Sequence, residues 1–242
     1  AALDSQADAV HPGYGFLSEN ADFAKAVTDA GMIFIGPDHN SIRLLGNKIR
    51  ARQFADDIGI PTLPGSYEPI HDLVAACEMA QNIGFPVMIK ASAGGGGRGI
   101  RVANNVKEFN NYYPQAALEA GAAFGGDSLY LEKYVQHARH IEVQILGDGN
   151  NFIHCFERDC SLQRRRQKIW EEGPAVGLDS ATRESLCDSA VTLARAVKYC
   201  GAGTVEYLFD YKAKKFYFIE VNTRIQVEHP ITEMITGIDL VK

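Results

Sequence analysis

The sequence predicts an α/β segment followed by α+β segments built around antiparallel sheet. Three observations carry this reading. Helical and strand patterns alternate up to residue 83, strand-like runs dominate from residue 128 onward, and a glycine-rich stretch joins two β-type runs between them.

In chain order, ALDSQADAVHPGYGF opens without Met and reads as the tail of a helix feeding a short strand. SENADFAKAVTDAG (18–31) has apolar residues at helical spacing, Ser18 as N-cap and Gly31 as stop. MIFIG (32–36) reads as a buried strand ended by Pro37. Helical runs follow at 41–58 and 72–83, and the Pro/Gly break IPTLPGS between them marks a domain boundary. FPVMIK (85–90) and IRVA (100–103) are β-type. Beyond them SLYLEKYV, HIEVQILGD, NFIHCFERDC, GTVEYLFD and KFYFIEVN are strand-like, with one clear helix at 181–200. The chain stops at DLVK, inside a helical pattern that begins near Thr232, so both ends read as interior positions of a longer protein. The expected division is 1–61, 62–134 and 135–242.

Composition bounds the function. The 242 residues are 46% hydrophobic and 22% charged, enough for a real core. A net charge of −6 argues against nucleic acid or a membrane surface as the main partner. Cys77, Cys155, Cys160, Cys187 and Cys200 form no C-x-x-C pair, and neither a signal peptide nor a membrane-length apolar run is seen. Reduced thiols in a cytosol-like compartment are the expectation.

KASAGGGGRG (90–99) raises the first chemical question. Four consecutive glycines in an ordered domain are destabilising unless bare backbone is needed, most often for close approach to a ligand. Phosphates suit such a loop, because successive N–H groups form an anion-binding concavity and Lys90 and Arg98 supply countercharge. No lysine followed by serine or threonine comes after the glycines, which excludes a Walker A loop, and a strand rather than a helix follows, which excludes the dinucleotide fingerprint. The pattern is a strand–loop–strand flap, with a plain flexible turn as the alternative.

The second constellation is the hairpin GTVEYLFD and KFYFIEVN. A turn centred on Ala213 sets Glu206 opposite Glu220, with Asn222 on the face of Glu220. Like charges directly opposite are destabilising unless a cation lies between them, and oxygen-only ligands suit Mg²⁺ or Mn²⁺. A solvated edge pair is the alternative. TRIQVEHP follows, placing Arg224, Gln226 and Glu228 on alternate positions and hence on one face. That set can bind a small oxyanion and move a proton, although a polar surface strand would look alike. QRRRQK (163–168) adds a basic cluster, read either as a solvated face or as a collector of anions.

HPGYGFLSEN, IKASAGGGGRG, RHIEVQILGDG, ERDCSLQRR, QK, GAGT and IEVNTRIQVEHPITEMITG strongly resemble biotin carboxylase, the ATP-grasp component of biotin-dependent carboxylases. The similarity runs over essentially the whole chain. It implies an ATP-grasp fold preceded by part of the biotin carboxylase N-terminal α/β domain, and a ligase reaction. ATP and Mg²⁺ or Mn²⁺ convert bicarbonate to carboxyphosphate, whose CO₂ passes to N1 of biotin.

The resemblance places Lys48 and Lys90 on the nucleotide phosphates and Gly96 and Gly97 in the flap over them. It sets Glu132, Lys133 and Val135 against adenine with Leu208 below it, His140 at the ribose and Gln163 as a further nucleotide contact. Glu206, Glu220 and Asn222 fall on metal ligands, and Lys168, Arg224, Gln226 and Val227 match the bicarbonate pocket. Arg224 would also stabilise the biotin enolate, and Glu228 would be the base for bicarbonate. Implied partners are a biotin carboxyl carrier and a carboxyltransferase, with a homo-oligomer for the full-length protein. The implied compartment is the cytoplasm, or the mitochondrial matrix in a eukaryote.

Arg166 stands where the family commonly has histidine or asparagine, Trp170 replaces a small aliphatic residue, and no M-K-M biotinylation sequence is present. Biotin must therefore come from another domain or chain. The competing readings are another ATP-grasp ligase of the carbamoyl-phosphate synthetase kind, and a non-catalytic nucleotide-binding module.

Overall fold

The computed structural model describes residues 1–91, 100–124, 129–165 and 167–242. Residues 1–62 carry strand β1 (Ala9–Val10), a 3₁₀ turn (Phe16–Glu19), helix α1 (Ala21–Asp29), β2 (Ile33–Phe34), α2 (His39–Leu45) and α3 (Lys48–Asp57). Next come α4 (Leu73–Ile83), β3 (Val87–Ala91), β4 (Ile100–Ala103), α5 (Val106–Phe124) and β5 (Leu129–Lys133). The remainder holds β6 (Ala138–Asp148), β7 (Phe152–Arg164), β8 (Gln167–Glu172), α6 (Ser180–Ala196), β9 (Cys200–Asp210), β10 (Lys215–Asn222) and α7 (His229–Thr236). The chain forms two compact units, one of residues 1–62, 139–162 and 168–242 and the other of residues 63–138 and 163–167.

In the first unit a five-stranded sheet runs in the order β10-β9-β6-β7-β8. Leu186, Ala190, Leu193 and Ala194 of α6 bury against Ile141, Val143, Ile145, Tyr207 and Phe209 of the sheet, and Phe218 and Val221 of β10 join the same core. A fully buried leucine or phenylalanine contributes about 1.5–3 kcal/mol, so this packing fixes the sheet that carries the hairpin. β1 and β2 pair in parallel, but Ile33 is 65% exposed, so the short strand read as buried has one open face. Phe34 alone packs inward, edge-on to Phe23.

Local chemistry corrects several helix limits. The N-cap of α1 is Asn20, whose Oδ1 accepts Phe23 N–H at 2.8 Å, while Ser18 lies in the 3₁₀ turn with its hydroxyl on Gly15 O. Residues 2–6 form turns instead of a helix tail. The run 41–58 is two helices: α2 stops at Gly46, and Asn47 caps α3 through Ile49 N–H and Arg50 N–H. A cap of this kind is worth about 1 kcal/mol, which favours a fresh start over continuation. The helix read at 181–200 ends at Ala196, because Lys198 turns at a φ of 51° and β9 begins at Cys200. The terminal helix starts at His229, three residues before the expected Thr232, with Pro230 in its first turn, and Gly237 at a φ of 74° ends it.

In the second unit β3 pairs antiparallel with both β4 and β5. Val87, Ile89, Leu129 and Leu131 bury against Ala76 and Ala80 of α4 and Phe109, Tyr113, Ala116 and Ala120 of α5. The segment before α4 covers β5: Ser66 N–H donates to Leu131 O at 2.8 Å and accepts Leu131 N–H on its hydroxyl at 3.0 Å. The two strands flanking the glycine run thus form an antiparallel pair, while Gly96, Gly97 and the rest of 92–99 lie outside the described residues, as does Arg166. α5 itself was not anticipated. Its Asn-rich first turns and Pro114 mask an apolar face that only packing on the sheet makes helical.

Gly147, paired with Phe152 where β6 meets β7, shows how tightly the first unit closes. A Cβ there would stand 2.4 Å from the Tyr199 carbonyl oxygen, which is backbone and already accepts Gly149 N–H. Gly147→Ala is therefore expected to destabilise by about 1–3 kcal/mol, read as a lower urea midpoint. An unchanged midpoint would mean that the 199–200 turn yields freely.

Candidate functional site

Glu206 and Glu220 face each other across β9 and β10. The pairing near the turn runs Lys215↔Asp210 to Phe218↔Tyr207, one residue off the expected register, and an irregularity between Phe218 and Glu220 restores the Glu206↔Glu220 match. The absorbed residue, Ile219, thus decides which side chains meet. Asn222 lies two residues beyond Glu220, and its Nδ2 donates to Glu206 Oε1 at 2.7 Å.

The pair is not a solvated edge. Glu206 is 5% exposed and accepts from His140 Nε2 at 2.7 Å, Lys168 Nζ at 3.1 Å and Gln226 Nε2 at 3.2 Å. Burial alone would raise its pKa, but the hydrogen bond from His140 and the charges of His140 and Lys168 hold it well below the usual carboxylate range. The same contact works in reverse on His140, where burial opposes the proton and Glu206 more than restores it, raising the imidazole pKa. Glu220 pairs with Lys48, the first residue of α3.

Residues 223–228 do not continue the strand, so the alternate-face argument for Arg224, Gln226 and Glu228 fails as geometry. The segment instead turns tightly into α7, with His229 N–H on Gln226 O. Glu228 meets Lys168 Nζ at 2.8 Å and is held ionised by it against the opposing effect of burial. Arg224 donates from Nη2 to Asn222 Oδ1 at 3.3 Å and has Nε 3.1 Å from Glu19. Val227 is exposed beside them. Lys168 sits on β8, and its ammonium pairs with Glu142 as well as with Glu206 and Glu228. Burial would lower its pKa, but Glu142 and Glu206 drive it upward, so it is cationic at any working pH. Of the basic run, Gln163 and Arg164 thus end β7, while Gln167 and Lys168 open β8.

The chain matches the family described as "Carbamoyl-phosphate synthase L chain, ATP binding domain" over residues 47–242 and "Biotin carboxylase, N-terminal domain" over residues 1–42. It is 51% identical to biotin carboxylase 1 of Bacillus subtilis over 236 residues, 97% of this chain and 52% of that one. It is also 51% identical to the mitochondrial propionyl-CoA carboxylase alpha chain of Sus scrofa, covering 100% of this chain and 33% of that one. The biotin carboxylase domain dimer of Hydrogenobacter thermophilus 2-oxoglutarate carboxylase, solved with MgADP, ADP and bicarbonate, superposes with a TM-score of 0.91 at 49% identity, covering 99% of this chain and 53% of that one. The chain belongs to the biotin carboxylase family. It carries that family's ATP-grasp fold together with part of its N-terminal domain, and spans about half the length of the biotin carboxylases it matches.

The residues that the biotin carboxylase resemblance assigns to nucleotide are distributed over both units. In the second, Lys90 on β3 pairs with Glu132 on β5, and Lys133 donates to the carbonyls of Gly84 at 2.7 Å and Phe85 at 3.0 Å, with Val135 just past the strand. Gln163 lies near the end of β7. In the first, Leu208 lies two residues beyond Glu206 on β9 and shares its face. Sequence reasoning missed Glu142, Arg158 and Glu19. His140, Glu142 and Gln144 alternate with Ile141, Val143 and Ile145 on β6, and that polar stripe was the available signal.

Lys168 offsets three carboxylates, so its removal breaks the ion pair of Glu228 and leaves Glu206 with His140, Asn222 and Gln226, and Glu142 with Arg158. Glu206 stabilises above its unfolded pKa of about 4.3 and loses this as pH falls through its lowered folded value; Lys168 stabilises below about 10.4 and loses this only as pH rises through its raised value. Both contributions are complete near neutrality. Lys168→Met is expected to destabilise by about 3 kcal/mol at pH 7, and the loss should shrink toward pH 4 as the stranded carboxylates protonate. Urea unfolding across that range measures it, and a pH-independent deficit would place the effect in packing.

Proposed function

We propose that the protein is a biotin carboxylase, using ATP and bicarbonate to carboxylate biotin on a separate carrier through carboxyphosphate. The observation that carries this reading is the position of Lys168, whose ammonium contacts both Glu206 of the hairpin and Glu228 of the oxyanion set. One cation thereby joins the phosphate-side carboxylates to the base. A relative of 49% identity was solved with MgADP and bicarbonate, which supports the same ligands here.

Glu206, Glu220 and Asn222 offer hard oxygen donors that fit Mg²⁺, and Mn²⁺ by the same chemistry. A divalent ion held there supplies neutralisation of charge on the transferring phosphoryl group. Lys48, Lys90, Gly96 and Gly97 are assigned to the phosphates, Glu132, Lys133, Val135 and Leu208 to adenine, His140 to ribose and Gln163 to the nucleotide. Lys168, Arg224, Gln226 and Val227 bind bicarbonate, whose charge the two cations match. Glu228 enters ionised and takes the bicarbonate proton as a bicarbonate oxygen bonds to the terminal phosphorus. The bond from that phosphorus to its bridging oxygen breaks, so that ADP leaves and carboxyphosphate forms. Carboxyphosphate then breaks its carbon–oxygen bond to give CO₂ and phosphate, and the N1 proton of biotin passes to that phosphate. N1 of the resulting enolate, whose oxygen Arg224 stabilises, bonds to the carbon of CO₂.

A biotin carboxyl carrier and a carboxyltransferase complete the reaction, and the relative crystallised as a dimer favours a homo-oligomer. Relatives named from bacteria and mitochondria support the cytoplasm or the mitochondrial matrix. Among the described residues no helix is long and apolar enough to cross a membrane. The module division 1–61, 62–134 and 135–242 belongs to this reading.

Two experiments separate the roles. In the intact enzyme Glu228→Gln should slow bicarbonate-dependent ATP cleavage and biotin carboxylation together by roughly 10²- to 10⁴-fold, with Mg·ATP affinity nearly intact. Arg224→Ala should suppress carboxylation more than biotin-independent ATP hydrolysis. Phosphate release and fixed ¹⁴C-bicarbonate, measured with and without free biotin, distinguish these. If both variants lost only ATP binding, the segment would merely support the nucleotide site. Glu220→Gln removes one anionic oxygen at constant volume and should weaken Mg·ATP binding in calorimetric titration. Wild-type affinity and rate together would move the cation away from the hairpin.

A further inference from the structure

Arg158 belongs to none of the roles above, yet it is the largest fully buried side chain of the described residues. It stands on β7 directly across from Glu142. A guanidinium has five N–H donors and no acceptor. Here Nε donates to Glu142 Oε1 at 2.7 Å, Nη1 to Gln144 Oε1 at 2.9 Å and Thr232 Oγ1 at 2.6 Å, and Nη2 to Thr204 Oγ1 at 3.3 Å and Gln226 Oε1 at 2.8 Å. Every donor has one acceptor.

Two consequences follow from the lack of any acceptor on the guanidinium. Only the carbonyl oxygen of Gln226 can face Arg158, so the amide cannot flip and its Nε2 donor is held on the opposite side, toward Glu206 at 3.2 Å. Glu142 is likewise fixed by one oxygen, which leaves Oε2 for the Lys168 ammonium. Both site groups touched in this way, Gln226 and Lys168, are among the four assigned to bicarbonate.

We infer that Arg158 is a positioning residue for bicarbonate: it holds the donor end of the Gln226 amide toward the oxyanion pocket and, through Glu142, sets the place of Lys168. This rests on the bicarbonate pocket proposed above. Arg158 itself touches no substrate. A lysine at this position keeps the charge but has three donors on one atom and cannot span the five acceptors.

The test is the KM for bicarbonate in the intact enzyme, from phosphate release at saturating Mg·ATP, for R158K, Q226A and the double variant. R158K is expected to raise that KM on the order of tenfold, the effect of misplacing one charge-linked hydrogen bond, with the KM for ATP unchanged. Q226A should raise it similarly, and R158K should add less on the Q226A background than it does on the wild type, because no amide remains to orient and only the arm through Glu142 to Lys168 is left. A raised KM in Q226A beside a wild-type KM in R158K, or full additivity in the double variant, overturns the inference and leaves the pocket standing. A wild-type KM in Q226A removes Gln226 from the pocket, and the assigned site falls first. Should R158K fail to fold, Q226E decides, because its carboxylate still accepts from Arg158 but has no donor to offer. It should raise the KM as Q226A does, and a wild-type KM in Q226E overturns the inference.

Discussion

A guanidinium withdrawn completely from water must place all of its N–H groups on acceptors, and Arg158 meets this demand only by drawing together β6, β9, the turn after β10 and α7. A buried ion pair is poor evidence for stability, since well-packed apolar residues of the same volume commonly do as well. What such a pair supplies is specification. Sliding β6 by one residue would turn Glu142 and Gln144 to the opposite face and strand the guanidinium, so the register of the sheet and the seat of α7 are tied to one arrangement. Thr232, fully buried on α7, shows that the tie reaches the helix that follows Glu228.

The hairpin explains how much of this was legible. Alternation along GTVEYLFD and KFYFIEVN, with a short polar connection, was enough to pair Glu206 with Glu220, because side-chain period and turn position are local properties. The agreement nevertheless depends on the irregularity at Ile219, which no local pattern announces. The strand alternation used to group Arg224, Gln226 and Glu228 does not hold: they lie in a tight turn where Gln226 meets Arg158, Glu228 meets Lys168 and Arg224 meets Asn222. Glu142 and Arg158 were missed because their significance is a pairing across strands, and one chain read in order does not show which polar residue meets which.

Helix limits failed where capping chemistry competed with periodicity. Asn47 divides what reads as one amphipathic run, and Asn20 displaces Ser18 as a cap by offering its oxygen two residues nearer the first apolar turn. α5 escaped for the opposite reason, because its polar opening and internal proline lower local helix preference and the buried stripe of Phe109, Tyr113, Ala116 and Ala120 supplies the compensation only after the three-stranded sheet exists. Local signals therefore served well for the strands other than β8, which was read only as part of a basic run, and poorly for elements whose stability is tertiary.

The charges of the first unit are graded from interior to surface, and the grading separates structure from chemistry. Arg158 and Glu142 are both without exposure, so neither can exchange its partner without opening the core. Lys168 is one step outward, 20% exposed, and shares its charge among Glu142, Glu206 and Glu228. Lys48 lies outermost, with two-thirds of its side chain accessible while it pairs with Glu220. Interaction energy for a given separation falls as surrounding water increases, so the outer pairs are the ones an incoming ligand can displace cheaply. Lys168 in this way holds Glu206 and Glu228 ionised, and is itself located by Glu142, whose other oxygen is fixed on Arg158.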